Sequence, residues 1–186
     1  LELCYEGYTL GMWLKFSNPS ETEGIYLSNG GHDPMSHGIA MTYQNGKIKF
    51  IFRKKDGRYW SVMFDNFLSE KWYHVAVTWQ GNKGLYLYIN GKEEARMTFP
   101  QIRVAVTGQI RYNDFIIGRS NDGQGLYNLG QVAVDEFKFW PKMLTELQIR
   151  ENGPMYMYHL NMEEIAGQEL IVNNAETEIV GNLRLA

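Results

Sequence analysis

Two adjacent carboxylates, Asp135 and Glu136, are the residues of this sequence that most readily suggest catalysis. They lie in the segment Val132–Trp140, where apolar and polar residues alternate as in a β-strand. Period-2 alternation predicts that they point to opposite faces, with Glu136 on the face of Val132, Val134, Lys138 and Trp140. Retaining glycosidases need two carboxyl groups about 5 Å apart in one cleft, which acids two or four positions apart on a strand supply. The adjacent spacing therefore does not predict a glycosidase pair.

The histidines and the cysteine do not complete a catalytic motif. His32 and His37 flank Asp33 in one loop and could ligate a transition metal, but no His-Glu-x-x-His pattern or cysteine joins them. His74 lies in a strand-like segment, where a structural role is expected. Cys4 is the single thiol, and no Gly-x-Ser-x-Gly nucleophile motif is present in the sequence. We therefore expect no catalytic residue.

Composition and charge exclude two classes of partner. The 186 residues are enough for a single domain with a sizeable core. The 18 basic and 21 acidic residues give a net charge of −3, and no basic block is longer than Arg53-Lys54-Lys55, so nucleic acid is not an expected partner. No apolar run approaches the roughly 20 residues of a membrane span, so direct membrane insertion is not expected.

Short β-strands are the elements predicted to position these residues. The dipeptides Asn45-Gly46, Asp56-Gly57 and Asn90-Gly91 supply the positive φ angles of tight hairpins, which makes the sheets mostly antiparallel. Segments rich in β-branched and aromatic residues recur between such turns, and about nine strands are predicted. They are Tyr8–Phe16, Gly24–Ser28, Gly38–Gln44, Lys47–Arg53, Tyr59–Phe64, Trp72–Trp79, Leu85–Ile89, Phe115–Ile117 and Val132–Trp140.

One helical turn interrupts the strand pattern near the end of these segments. Thr145 and Gln148 have the spacing of a capping box, which predicts a short helix from about Thr145 to Glu151. Regular short strands with almost no helical periodicity are typical of two sheets packed face to face. We expect an all-β sandwich of two antiparallel sheets with one short helix.

The segment Trp72–Lys92, WYHVAVTWQGNKGLYLYINGK, resembles a hairpin of laminin G-like and pentraxin-like domains, in which a strand pair ends in an Asn-Gly turn. The pattern C-x-E-G-x-T-L-x-x-W-L-K, from Cys4 to Lys15, resembles the start of such domains in adhesion G-protein-coupled receptors and related extracellular multidomain proteins. The resemblance continues through Gly24–Tyr43 and Phe115–Gly123 and covers about Leu3 to Glu151. It implies a concanavalin A-like jelly roll.

The resemblance implies two further features, a calcium site and a disulfide. Related domains often carry Ca²⁺ at a rim, held by loop oxygens, and the candidate ligands here are Asp122, Asn121, Asn128 and Asp33. The alternative is that these residues serve ordinary turn chemistry. In similar domains the cysteine of the opening pattern pairs with one a few residues upstream. Cys4 is thus expected to form a disulfide with a cysteine that is not in this chain.

Residues 153–186 form the second part of the predicted domain organisation. Residues 1–152 are expected to form the laminin G/pentraxin-like sandwich. The stretch from Tyr156 to Ala186 resembles the strand region that precedes the opening pattern, and it follows Gly153-Pro154-Met155, which looks like a protease-tag remnant and a start methionine. We expect 153–186 to be the N-terminal strand region of the same domain, placed last or permuted. A C-terminal extension or the start of a second repeat is the alternative.

Aromatic residues are the candidates for ligand contact. Exposed rings near loops or on a sheet face could stack on sugars or anchor a protein partner. The candidates are Tyr26, Tyr43, Tyr59, Trp60, Tyr112 and Tyr127. The tryptophans in strongly apolar strands are expected to belong to the core instead, with at least three of four largely buried: Trp13, Trp72, Trp79 and Trp140.

The absence of a catalytic motif and the resemblance together imply a non-enzymatic extracellular recognition or adhesion domain of a larger protein. Its expected partner is an extracellular protein, a glycan, or another domain of the same protein, with Ca²⁺ as the expected cofactor. A carbohydrate-active enzyme or its accessory lectin module is one alternative, which two acids on one strand face in an aromatic groove would favour. A structural, self-associating module is another.

Overall fold

A computed structural model describes residues 6–16, 23–102, 114–119 and 132–151, and the backbone of short strands at 158–160, 170–171 and 182–185. The elements within these residues are β1 (Tyr8–Phe16), β2 (Glu23–Ser28), β3 (Gly38–Gln44), β4 (Lys47–Arg53), β5 (Arg58–Phe64), β6 (Trp72–Gln80), β7 (Gly84–Ile89), β8 (Lys92–Met97), β9 (Gln101–Ile102), β10 (Phe115–Ile117), β11 (Val132–Trp140), α1 (Glu146–Arg150), β12 (Tyr158–Leu160), β13 (Leu170–Ile171) and β14 (Asn182–Leu185).

The strands form two sheets that share one core. Sheet A has the order β12-β11-β1-β6-β7-β8, and sheet B has the order β13-β14-β10-β2-β3-β4-β5-β9. The pairs are antiparallel apart from β10 and β14, which run parallel. The predicted two-sheet sandwich with one short helix is confirmed, and all nine predicted strands are present with small differences at their ends.

The core lies between the two sheets, where alternate side chains of each strand meet. In β1 the buried residues Leu10, Met12 and Leu14 point inward, and in β6 Tyr73 and Val75 do the same. Burial of each such side chain stabilises the fold by roughly 1.5–3 kcal/mol. The central strands of sheet B contribute a matching set: Ile39, Met41, Tyr43, Ile48, Phe50, Phe52, Trp60, Val62 and Phe64.

The predicted hairpin turns are present. Asn45 and Gly46 have φ angles of 50° and 79°, and Asn90 and Gly91 have 51° and 77°, as a type I′ turn requires. In the third turn Gly57 has a φ of 83°, and the Asp56 carboxylate accepts a hydrogen bond from the backbone N–H of Arg58 at 3.1 Å. The Asn-Gly dipeptides therefore determine the register of β3 with β4 and of β7 with β8.

Strand β11 departs from strict alternation because it contains a β-bulge. Gly11 pairs with Lys138 and Trp13 pairs with Asp135, so two residues of β11 lie opposite one residue of β1. Glu136 has a φ of 49°, in the left-handed region. The extra residue changes the phase, so apolar residues on both sides of it face the core: Val132, Val134, Phe137 and Phe139. The prediction that Val132 and Val134 share a face with Lys138 and Trp140 is therefore wrong.

The predicted capping box is confirmed at the start of α1. Thr145 is the N-cap, and its hydroxyl accepts a hydrogen bond from the Gln148 backbone N–H at 3.3 Å. The Gln148 side-chain oxygen in turn accepts one from the Thr145 N–H at 3.0 Å. Two donors at the helix N-terminus thereby find acceptors, which explains why a five-residue helix persists here.

Helix α1 and the segment before it cover half of the outer face of sheet A, the face directed away from the core. Trp140, Leu144 and Ile149 pack there against Ala76 and Tyr88. On the central strands β1 and β6 the outward residues beneath them, Gly11 and Ala76, are small. At Gly11, an added Cβ would lie 2.9 Å from the Trp140 ring. The small residue is needed because the indole rests directly on the strand.

Strands β8 and β9, at one lateral edge of the sandwich, were not predicted, whereas 153–186, which was expected to be a strand region, contributes β12, β13 and β14 at the other edge. The segment KEEARM of β8 has four charged residues out of six and lacks β-branched side chains. At the opposite edge, β12 extends sheet A beside β11, while β13 and β14 extend sheet B beside β10. The position of 153–186 in the natural chain order stays a prediction.

Candidate functional site

The part of the outer face of sheet A that no described element covers carries four large side chains, Trp13, Lys15, Trp72 and His74, which we call the outer aromatic face. Trp13 and Lys15 alternate with buried core residues of β1, so they point outward. In the register of β1 with β6, Trp13 lies directly opposite His74, and Lys15 lies directly opposite Trp72. The four side chains therefore form two adjacent cross-strand pairs on one surface.

Trp72 is the most accessible aromatic ring of this face, with 42% of its surface exposed. The Lys15 ammonium lies 5.7 Å from the centre of the Trp72 ring, at cation–π distance. The same ammonium lies 3.5 Å from the Glu70 carboxylate. The turn that carries Glu70 is attached to the end of β1, since the Glu70 N–H donates to the Phe16 carbonyl at 2.7 Å. Trp72 is therefore exposed and also held in position.

Trp13 and His74 form the second pair of the outer aromatic face. Their rings meet edge to face, with centroids 5.3 Å apart. The backbone of His74 is held by Asn90, whose side-chain oxygen accepts the His74 N–H at 3.0 Å. Burial lowers the pKa of His74, the positive charge of Lys138 lowers it further, and the negative charge of Glu136 opposes both. The imidazole is therefore neutral at physiological pH.

Stability should depend on pH through His74. Its pKa is lowered in the folded protein from an ordinary value of 6.5. As pH falls below that value the unfolded chain binds a proton before the folded protein does, so stability present at pH 7.5 is lost progressively. We expect the free energy of unfolding, measured in urea at pH 7.5, 6.5 and 5.5, to fall more steeply in the wild type than in His74→Gln. Parallel curves would contradict the burial of this imidazole.

The adjacent carboxylates lie beside the outer aromatic face, within the β11 bulge. An Asp135 carboxylate oxygen accepts the backbone N–H of Glu136 at 2.7 Å. The Glu136 carboxylate lies 2.9 Å from the ammonium of Lys138. Both acids thus have contacts that stabilise the bulge. The bulge places both of them on the outer side of sheet A, so the prediction that they point to opposite faces is wrong. Asp135 also pairs in register with Trp13, so its side chain borders the aromatic pair.

Three of the residues predicted to be exposed ligand contacts are buried, so the prediction is wrong for them. Tyr26, Tyr43 and Trp60 are buried in the core, at 2%, 9% and 1% exposure. A bulge between Ile25 and Leu27 turns Tyr26 inward, and Trp60 alternates in phase with the buried residues of β5. Burial raises the pKa of Tyr26 well above its usual range, which is a further sign of its apolar surroundings.

Tyr59 is the predicted contact residue that stays accessible among the described ones. It is half-buried, and the Arg53 guanidinium lies 4.8 Å from its ring centre. Its hydroxyl donates to the Gln101 side chain. Tyr112 and Tyr127 lie outside the described residues. Tyr59 is on sheet B, so it does not join the outer aromatic face of sheet A.

Trp72 and Trp13 are the residues that sequence reasoning assigned to the core and that the structure places on the outer face of sheet A. Trp79 and Trp140 are buried, at 7% and 4% exposure, Trp13 keeps a minor part of its surface accessible on the outer face, and Trp72 is exposed. The expectation that at least three of these four are largely buried is therefore confirmed, and Trp72 is the exception. Trp72 and Trp79 are seven residues apart, and an odd spacing on one strand places two side chains on opposite faces. That odd spacing could have predicted the outward position of Trp72 from the sequence.

The described residues contain one of the four predicted calcium ligands. Asp33 uses a carboxylate oxygen to accept the Met35 N–H at 2.8 Å, in the turn chemistry that was its alternative role. His32 contacts the Ser28 hydroxyl through Nδ1 at 2.5 Å. Within the described ranges, no three His, Cys, Asp or Glu residues are grouped as a metal site would need. Asp122, Asn121, Asn128 and Cys4 lie outside those ranges.

Most of this chain matches one protein-family model. A laminin G-type family model, described as concanavalin A-like lectin/glucanases superfamily, matches residues 2–150. The chain belongs to this laminin G-like family. A comparison with curated proteins finds no match. Among the described residues of this laminin G-like domain, no helix has both the length and the apolar character needed to cross a bilayer.

Solved structures with a similar fold include binding domains of botulinum neurotoxins. The serotype D binding domain is 19% identical, with a TM-score of 0.60 over 81% of this chain and 37% of the neurotoxin chain. The serotype G binding domain is 14% identical, with a TM-score of 0.58 over 80% of this chain and 36% of that one. A serotype D domain in complex with N-acetylneuraminic acid has a TM-score of 0.56 at 18% identity. The laminin G-like domain thus corresponds to little more than a third of each neurotoxin structure.

Proposed function

We propose that this laminin G-like domain is a non-enzymatic recognition domain that binds a glycan or protein ligand through the outer aromatic face. The observation that carries the proposal is Trp72, an indole left 42% exposed on a regular sheet. Soluble domains place most large aromatic residues in the core, and exposed, oriented tryptophans are enriched at binding sites. The neighbouring Lys15, Glu70 and His74 supply polar groups beside the ring.

The contacts of Asp135 and Glu136 support a non-enzymatic role. One acid accepts a backbone hydrogen bond within the bulge, and the other is paired with Lys138. A glycosidase would instead need two carboxyl groups that remain available for proton transfer, whereas these two are engaged by a backbone N–H and by an ammonium group. This proposal therefore assigns the acids to the stability of β11 and assigns ligand contact to the aromatic side chains.

The proposal places the domain in the extracellular part of a larger receptor or adhesion protein. Its support is the opening pattern from Cys4 to Lys15, which resembles the start of laminin G-like domains in adhesion G-protein-coupled receptors. The partner would be an extracellular protein, a glycan, or a neighbouring domain of the same protein. A disulfide from Cys4 and a Ca²⁺ ion held by Asp122 and nearby oxygens belong to the same proposal.

Substitution of Trp72 tests the proposed binding face. We expect Trp72→Ala to weaken ligand binding about tenfold or more, because truncation of an aromatic anchor typically costs over 1 kcal/mol. The assay is binding of the purified domain to an immobilised panel of oligosaccharides and purified matrix proteins, followed by titration of each ligand that binds. The matched control is Leu147→Ala, which removes a large side chain that is 64% exposed on α1, away from Trp72.

Two outcomes would overturn the proposed site. If Trp72→Ala and Leu147→Ala bind every ligand as tightly as the wild type, the outer aromatic face is not the binding surface. If both variants lose affinity equally, the loss reflects a general change in the protein. Release of reducing sugar from any oligosaccharide by the wild-type domain would contradict the non-enzymatic assignment.

A further inference from the structure

Two ion pairs lie beside Trp72 and Trp13. The Lys15 ammonium lies 3.5 Å from the Glu70 carboxylate, and the Lys138 ammonium lies 2.9 Å from the Glu136 carboxylate. The side chain of Lys138 is also largely buried, with 12% of its surface exposed. Neither ammonium is therefore presented to a ligand without a carboxylate beside it.

The backbone conformation and hydrogen bonding of Glu70 place its side chain beside Lys15. Glu70 has a φ of 60°, in the left-handed region, where non-glycine residues are uncommon. Its N–H donates to the Phe16 carbonyl at 2.7 Å, which ties the turn to the end of β1. The carboxylate is thereby held between the strand that carries Lys15 and the strand that begins at Trp72.

The local balance of charge is negative. Among the described residues, three carboxylates border the outer aromatic face, those of Glu70, Asp135 and Glu136, against the two ammonium groups of Lys15 and Lys138. The ammonium of Lys71 is directed away from this face, since it lies 5.9 Å from the ring centre of the core residue Tyr73. The difference, two positive minus three negative, is one net negative charge. His74 does not change this balance because its imidazole is neutral at physiological pH. An anionic ligand would face this charge and would have to displace a carboxylate from a lysine.

We propose that the outer aromatic face binds an uncharged saccharide and discriminates against sialylated, sulfated and uronic acid glycans. The C–H face of a neutral sugar ring stacks on the exposed indole of Trp72. Its hydroxyl groups donate to the carboxylate of Glu70 and accept from the ammonium of Lys15, and neither bond requires the ion pair to break. This inference rests on the proposed function and adds the charge class of the ligand.

The first test compares neutral and acidic oligosaccharides on one array. The probes are neutral oligosaccharides, each printed beside its sialylated and sulfated form, with the wild-type domain and Trp72→Ala as the two samples. We expect wild-type binding to neutral members, at least tenfold weaker binding to their acidic forms, and loss of the neutral signal in Trp72→Ala. Trp72-dependent binding to the acidic forms would overturn the inference and leave the proposed face intact. Binding to matrix proteins alone would overturn it too.

The second test removes the carboxylate that neutralises Lys15. We expect Glu70→Gln to raise affinity for the acidic forms by about two- to fivefold, the range of an exposed ion pair, with little change for neutral sugars. The control is Glu93→Gln, which breaks the ion pair of Glu93 with Arg96, 3.6 Å apart on β8 and away from this face. Equal behaviour of Glu70→Gln and Glu93→Gln on both ligand classes would show that Lys15 does not set the charge preference.

Discussion

Replacement of Trp60 by alanine is expected to reduce the free energy of unfolding by about 3–5 kcal/mol, a large part of the stability of a typical domain. Trp60 is 1% exposed and stacks on Phe52 at a centroid distance of 5.9 Å. It also meets Trp79 of the opposite sheet edge to face, at 5.5 Å. The substitution leaves a cavity between the sheets that neighbouring rigid rings cannot fill. Urea unfolding followed by circular dichroism measures the change.

Trp72→Ala is the matched control, because it removes the same side chain from an exposed position. Its cost should be about 1 kcal/mol or less, mainly the lost contact with Lys15. The two variants therefore separate stability from recognition: Trp60→Ala unfolds readily, and Trp72→Ala stays folded while it loses ligand. Equal losses of stability would contradict the assignment of Trp60 to the core and Trp72 to the surface.

A Gly38→Ala variant is expected to lose about 2–5 kcal/mol, the sum of backbone strain and overpacking. Gly38 begins β3 with a φ of 135°. A Cβ atom added there would lie 2.2 Å from the backbone oxygen of Asn29 and 2.4 Å from its side-chain oxygen. Asn29 cannot move away freely, because its N–H donates to the Ile39 carbonyl at 2.9 Å. The thermal midpoint and urea unfolding measure the loss.

Gly46→Ala isolates the strain from the steric clash. Gly46 also has a positive φ, 79°, but nothing lies within 4 Å of an added Cβ. Its substitution should therefore cost about 1–2 kcal/mol, the penalty of an L-residue in the left-handed region. A Gly38→Ala variant as stable as Gly46→Ala would show that the loop from Asn29 to Gly38 can rearrange to accept the extra carbon.

Described elements cover one part of the outer face of sheet A and leave another part uncovered. This difference links the fold to the proposed function. The outward residues Gly11 and Ala76 are small where Trp140 and α1 lie over them. Further along the same two strands the outward residues are Trp13 and Trp72, and no described element covers them. These large side chains thus lie outside the core of the sandwich, and the proposed ligand binding would give them a role.

Local chemistry explains how much of the fold could be predicted. Asn45-Gly46 and Asn90-Gly91 adopt positive φ angles in any tight hairpin, and the residues on either side alternate between apolar and polar. The capping box of Thr145 and Gln148 is local as well, so α1 was placed within one residue at each end. Strands β8 and β9 were missed because edge strands carry little apolar signal.

The bulge in β11 and the buried aromatics depend on contacts that local patterns do not contain. Whether Glu136 continues the alternation or forms a bulge depends on β1, more than a hundred residues earlier, whose register must match apolar residues on both sides. Tyr26 looks like a loop-adjacent surface residue until the bulge beside it turns the ring inward. Trp72 is different, since its odd spacing from Trp79 already indicated an outward position.

The sequence by itself determined the two-sheet sandwich, its hairpins and its short helix, because turn geometry and side-chain alternation act over a few residues. Only the tertiary structure decided which part of the outer face of sheet A the described elements leave uncovered. That depends on where the chain after β11 returns, with Trp140 resting on Gly11 and α1 on Ala76. The segment covers one half of the outer face of sheet A and leaves Trp72 accessible, and this difference defines the candidate binding site.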